Sequence, residues 1–128
     1  MIKSVCKAAI LAATIAVSSP VPQAADLSGS EVALFLTIKT QPGQRDTLVA
    51  LWDEHLKTRT AENAGHVSYV FALDMGDPDM VHISEVYANK AAFEANTQSQ
   101  WFAAYMAKAG KLLMGEPGFV MASPHWVK

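Results

Sequence analysis

The chain has 128 residues, 51% apolar and 17% charged, with a formal net charge of −2 and one cysteine. That is room for one ordinary domain, and it lacks the low hydrophobicity and high charge of a disordered chain. It also excludes a strongly basic grip on nucleic acid, an intrachain disulfide framework and a thiolate zinc cluster.

Residues 1–25 carry Lys3 and Lys7 and no acid, then an apolar run over 8–17 and a small-residue stretch ending at Ala25. This is the order of a secretory leader, with cleavage expected after Ala25. The run of about ten is far short of the roughly 20 residues that span a bilayer. Without the leader the charge becomes −4 and Cys6, the only cysteine, is gone. The mature protein is therefore expected in the periplasm or outside the cell, with its stability coming from its core or from a partner subunit.

Residues 31–40 predict a strand, with Val32, Leu34, Leu36 and Ile38 on one face and Ala33, Phe35, Thr37 and Lys39 on the other. From 44 to about 62 the period turns helical, through Leu48, Leu51, Trp52, His55, Leu56 and Arg59. Asn63-Ala-Gly65 ends this helix, with Gly65 expected to cap it. Residues 66–73 and 80–87 read as strands of an antiparallel hairpin around the turn segment 74–79. Asn89 is placed to cap a short helix over 90–95, and Thr97 or Ser99 a second running on to Leu113. Residues 119–123 make a closing strand before a short tail.

The order β-α-β-β-α-β is the ferredoxin-like plan, an α+β fold with one domain over 26–128. Helices cover one sheet face, and the other is too apolar to meet water comfortably. A homodimer joined through that face is the expected solution.

Alternation groups Val81, Ile83, Glu85 and Tyr87 on one side of the third strand and His82, Ser84 and Val86 on the other. Glu85 lies in an otherwise apolar strand, where a carboxylate is paired, at an edge, or shifted in pKa by burial. A shifted carboxylate suits general acid or base work, and His82 is a second proton carrier to consider. Trp52, Tyr69, Phe71, Trp101 and Tyr105 come from helices and hairpin and can wall an apolar pocket, with a polar atom on each Trp and Tyr. Asn96 falls at the break between two helical pieces, where its amide can point into that pocket. No histidine spacing suggests a metal site, and neither a P-loop, a GxGxxG nor a GxSxG motif occurs.

The stretches LFLTIKTQPG (34–43), ENAGHVSY (62–69), HISEVYANKAAFEAN (82–96) and SQWF (99–102) resemble the antibiotic biosynthesis monooxygenase family. The resemblance spans about residues 31–123 and implies a dimeric α/β barrel of ferredoxin-like protomers. It further implies oxidation of a quinol or polyphenol by dioxygen without metal, flavin or other cofactor. Many relatives carry His where this chain has Asn96, which can hydrogen-bond a phenol but cannot deprotonate it. In a haem-degrading relative the axial His would fall near Met106 and the pocket Asn near Leu36.

The reading is an exported, cofactor-independent monooxygenase-like protein acting on a small quinol or phenol. Asn96, His82 and Glu85 are the catalytic candidates, and Tyr69, Trp52, Phe71, Trp101 and Tyr105 the substrate-binding ones. No nucleic acid, metal or stable membrane insertion is expected. The alternative is a non-catalytic dimeric module that binds a small aromatic ligand.

Overall fold

The computed structural model describes residues 26–128; the expected leader lies outside these residues. Four strands form one antiparallel sheet in the order β2-β3-β1-β4: β1 (Val32–Lys39), β2 (His66–Leu73), β3 (Met80–Tyr87) and β4 (Gly118–Ala122). Four helices, α1 (Arg45–Trp52), α2 (Thr58–Glu62), α3 (Lys90–Thr97) and α4 (Gln100–Ala109), complete the ferredoxin-like protomer. No helix of the described residues is long and apolar enough to cross a membrane.

Period-two alternation divides the sheet cleanly. Leu34, Ile38, Val81 and Ile83 face the helices and are buried, joined by Leu48 and Leu56 from the first helical stretch and Tyr105 and Ala109 from α4. The opposite face carries a cross-strand row of Val70, Ser84, Phe35 and Val120, in register. Its three apolar members are each at least half exposed. The tail residues 123–128 curl beside this row and make a shallow groove with Phe35, Ser68 and Ser84.

Three local features depart from the simple pattern. The helical stretch 45–62 is broken by a π-helical segment, Asp53–Lys57, between α1 and α2. A π segment holds one residue more per turn than an α-helix, so it changes the angle between side chains on either side of it.

The second departure is Gly65, which is not a left-handed cap. The helix already ends at Asn63, which has extended backbone angles, and Gly65 has no positive φ. The glycine is needed for close approach: a Cβ there would lie 2.8 Å from the Cβ of Ala92 on α3.

The third is the end of the second helix. Its α-helical part stops at Ala109 and tightens into a 3-10 turn, Gly110–Leu112, instead of running to Leu113. That turn is tied to the end of β1 by Gln41 N–H donating to Leu112 O and Met114 N–H donating to Lys39 O. The helix starts follow ordinary capping chemistry. Asn89 accepts from Ala92 N–H and Ser99 from Phe102 N–H. The Thr97 hydroxyl instead donates back to Phe93 O within α3.

Candidate active site

Between the sheet and the helices lies a cavity of about 200 Å³, nearly all apolar. Leu34, Leu36 and Ile83 form its floor, and Trp52, Leu56, Phe102 and Tyr105 its roof. The half-exposed side chains of Met106 and Phe119 stand at its mouth, between α4 and β4. One ionisable carboxylate lines it, that of Glu85. Glu85 is on the helix side of β3 because it alternates with Ile83 and Tyr87, and its side chain is 11% exposed.

Three neighbours hold the polar end of the cavity. His66 Nε2 lies 3.1 Å from Glu85 Oε2. A carboxylate only accepts, so the facing ring nitrogen carries the proton and donates. Asn96 Nδ2 donates to the Tyr87 hydroxyl oxygen over 2.8 Å. That leaves Tyr87's own proton uncommitted, and the charge of nearby Glu85 favours its retention. Trp52 Nε1 donates to the Tyr69 hydroxyl oxygen over 3.0 Å. Tyr69 therefore has a fixed oxygen and an uncommitted proton beside the cavity.

The tyrosines are donors rather than bases. Burial first, then the charge of Glu85, pushes the Tyr69 and Tyr87 phenols far above their ordinary range. Burial pushes Tyr105 up to about 12. Near neutral pH all three stay protonated. The arrangement is an apolar chamber with one carboxylate and a set of neutral hydroxyl groups at one end.

The structure brings four of the eight residues singled out in the sequence, Glu85, Tyr69, Trp52 and Tyr105, to the cavity wall. Phe71 stands behind Trp52, their ring centroids 4.7 Å apart. Asn96 and Trp101 line a separate outer groove with Arg59 and Asn63. There the Arg59 guanidinium sits 4.8 Å above the Trp101 ring, and Trp101 Nε1 donates weakly to Asn96 Oδ1 over 3.4 Å. Asn96 thus touches the cavity only through Tyr87. His82 is on the open sheet face, where Nε2 pairs with Asp74 at 2.6 Å and Nδ1 meets the Thr37 hydroxyl at 3.4 Å. It does not reach the cavity.

Sequence reasoning missed His66. In a regular strand, residues 66 and 69 point to opposite faces. A β-bulge between His66 and Ser68 shifts the register by one and turns both toward the helices. The signal was the Gly65-His66 junction at the strand start, which alternation alone could not resolve. Among the described residues no group of three or more His, Cys, Asp or Glu side chains is placed to hold a metal ion.

The model of a family described as "Antibiotic biosynthesis monooxygenase" matches residues 32–108. Among solved structures, a candidate antibiotic biosynthesis monooxygenase from Chloroflexus aurantiacus J-10-fl is 27% identical, with a TM-score of 0.65, covering 74% of this chain and 93% of that one. The Rv0793 protein of Mycobacterium tuberculosis is 25% identical, with a TM-score of 0.67, covering 74% of this chain and 95% of its own. The NE2512 protein of Nitrosomonas europaea, of unknown function, shares the fold at 23% identity and a TM-score of 0.66, covering 78% of this chain and 94% of that one. No curated protein matches.

Proposed function

The chain belongs to the antibiotic biosynthesis monooxygenase family, and on that premise we propose that it oxidises a small phenol or quinol with dioxygen inside the cavity. The observation that carries this reading is Glu85, the single carboxylate in an otherwise apolar chamber. Glu85 takes the phenolic proton, and the electron-rich phenolate is the reductant of dioxygen. A phenol and dioxygen give a quinone and water, so the overall reaction balances without an external reductant. Tyr69 supplies its uncommitted proton as a hydrogen bond to the substrate oxygen, and Trp52 and Tyr105 are walls for the ring. Asn96 acts at one remove, by orienting the Tyr87 hydroxyl.

The protein works as a homodimer through its open sheet face, where the row of Val70, Phe35 and Val120 is an apolar patch of the kind that marks an interface. It acts after export, in the periplasm or outside the cell.

Dioxygen uptake by purified, metal-free protein across a panel of phenols and quinols tests the reading. Turnover that is lost in Glu85→Gln supports it, and no turnover across the panel sinks it. The second reading, a non-catalytic binder, is favoured by one feature: Asn96, where many relatives have His, is committed to Tyr87 and Trp101. A ligand retained by protein taken from its source and never converted would decide for that reading.

A further inference from the structure

Among the described residues around the polar end of the cavity, His66 is a buried titratable side chain that the proposed chemistry leaves unused. Its side chain is 5% exposed. On one side its Nε2 meets Glu85, which lines the cavity. His66 also lines an outer groove with Lys57, Thr60, Ala61 and Ser68, a groove that Glu85 does not line. The ring therefore stands in the partition between the two spaces. Tyr69 and Tyr87 brace it, with ring centroids 5.5 Å and 4.2 Å away. Nδ1 is buried and makes no hydrogen bond to any described residue.

We infer that His66 is a proton relay between the closed cavity and the solvent at the β2 edge, acting through Glu85. This rests on the reading of the cavity as a phenol site. The geometry separates two needs: the chamber is apolar enough to hold an aromatic ring, yet Glu85 must exchange protons to work repeatedly. Each transfer conserves protons. Inward, when opening of the groove wall brings water to the buried Nδ1, that atom gains a proton while Nε2 gives its proton to the Glu85 carboxylate, leaving a neutral carboxyl and the other imidazole tautomer. Outward, the Glu85 carboxyl returns a proton to Nε2 while Nδ1 releases one to solvent. A phenol that gives its proton to Glu85 drives the outward step, and an oxygen anion that takes one draws on the inward step.

Other titratable or charged groups facing the pair are Tyr69, Tyr87 and Tyr105, all held neutral. Lys57 lines the groove and is bound to Asp53 at 3.1 Å. The tyrosines do not ionise near neutral pH, so His66 and Glu85 carry the exchange.

The test uses para-nitrophenol, whose colour reports its ionisation, bound to the full protein. His66→Gln keeps an amide donor toward Glu85 but cannot pass a proton. The expected result is unchanged binding, with the bound probe following a pH jump about a hundredfold more slowly, the low end of acid–base contributions. Free imidazole restores the rate in His66→Ala. A His66→Gln protein that follows the jump as fast as the unaltered one overturns the relay. Nitrogen NMR of His66 in the unaltered protein gives a reading independent of any ligand and of any variant's folding. The Nε2-protonated tautomer is expected at rest, with exchange broadening of the ring signals that reports visits to the other tautomer, and a ring without such exchange at every pH overturns the relay. If para-nitrophenol does not bind, the phenol reading fails, while the tautomer measurement still decides the relay.

Discussion

Ala109→Leu puts the cavity itself to the test. Ala109 is fully buried, on α4, and lines the chamber. An unfilled apolar void forgoes about 24 cal/mol per Å³, so one of about 200 Å³ forgoes on the order of 5 kcal/mol. That is as large as the whole net stability of many domains, commonly about 5–15 kcal/mol. Leu adds three carbons at this wall. At about 0.8 kcal/mol per buried carbon the ceiling is ~2.4 kcal/mol, from which repacking strain of about 1 kcal/mol must be taken. The expected net gain is about 1–2 kcal/mol, a rise in Tm of about 4–8 °C for each kcal/mol in a domain of this size. The same substitution occupies ligand space, so affinity for para-nitrophenol falls at least about tenfold, or about 1.4 kcal/mol. Calorimetric unfolding and quenching of tryptophan fluorescence by the probe measure the two effects. A variant that loses stability while binding the probe normally would refute the reasoning, because it would mean that this wall borders no usable space.

Tyr69→Phe removes a cavity hydroxyl and leaves Trp52 Nε1 without its acceptor; a stability loss of about 1–2 kcal/mol is expected by denaturant unfolding. Probe binding should weaken with it, and a variant that binds equally well would remove Tyr69 from the substrate's contacts. Asp74 is held down to about 2 from an ordinary 3.8, first by His82 and then by the backbone N–H groups of Asp77 and Gly76. A carboxylate with a depressed folded-state pKa contributes stability above its unfolded value and loses it as pH falls. Between about pH 4 and pH 2 the unaltered protein should therefore lose more stability than Asp74→Asn; parallel losses in acid unfolding titrations would contradict the pairing. Val120→Lys places a charge in the open apolar row, and light scattering should show a dimer becoming a monomer. A monomeric unaltered protein would dismiss the interface outright.

Most of the fold was legible because its strands alternate and its helices keep a 3.6-residue stripe. Asn89 and Ser99 have the side chains an N-cap needs, and both cap. Glu85 was legible for a similar reason: a lone carboxylate alternating with Ile83 and Tyr87 can only face the helices. What escaped depends on irregular backbone or on packing between distant segments. The bulge at the start of β2 turned His66 inward. The contact of Gly65 with Ala92 joins residues 27 positions apart, so the glycine read locally as a cap. Asn96 lies not at the break but in the last turn of α3, where it lines the outer groove, and only the packing of α3 on Tyr87 decides that.

The π-helical segment at 53–57 has a consequence for how this pocket can change over generations. Such a segment amounts to one surplus residue in an α-helix. Deleting a single residue there would restore regular winding and leave the turns on either side nearly in place, because a π turn takes up its extra residue within itself. Trp52 lies just before the segment and Leu56 within it, and both wall the cavity. One codon lost there could therefore trim the wall at this turn alone while leaving the sheet, the flanking helix and Glu85 in place. That is a shorter path to a new ligand shape than rebuilding the chamber one side chain at a time.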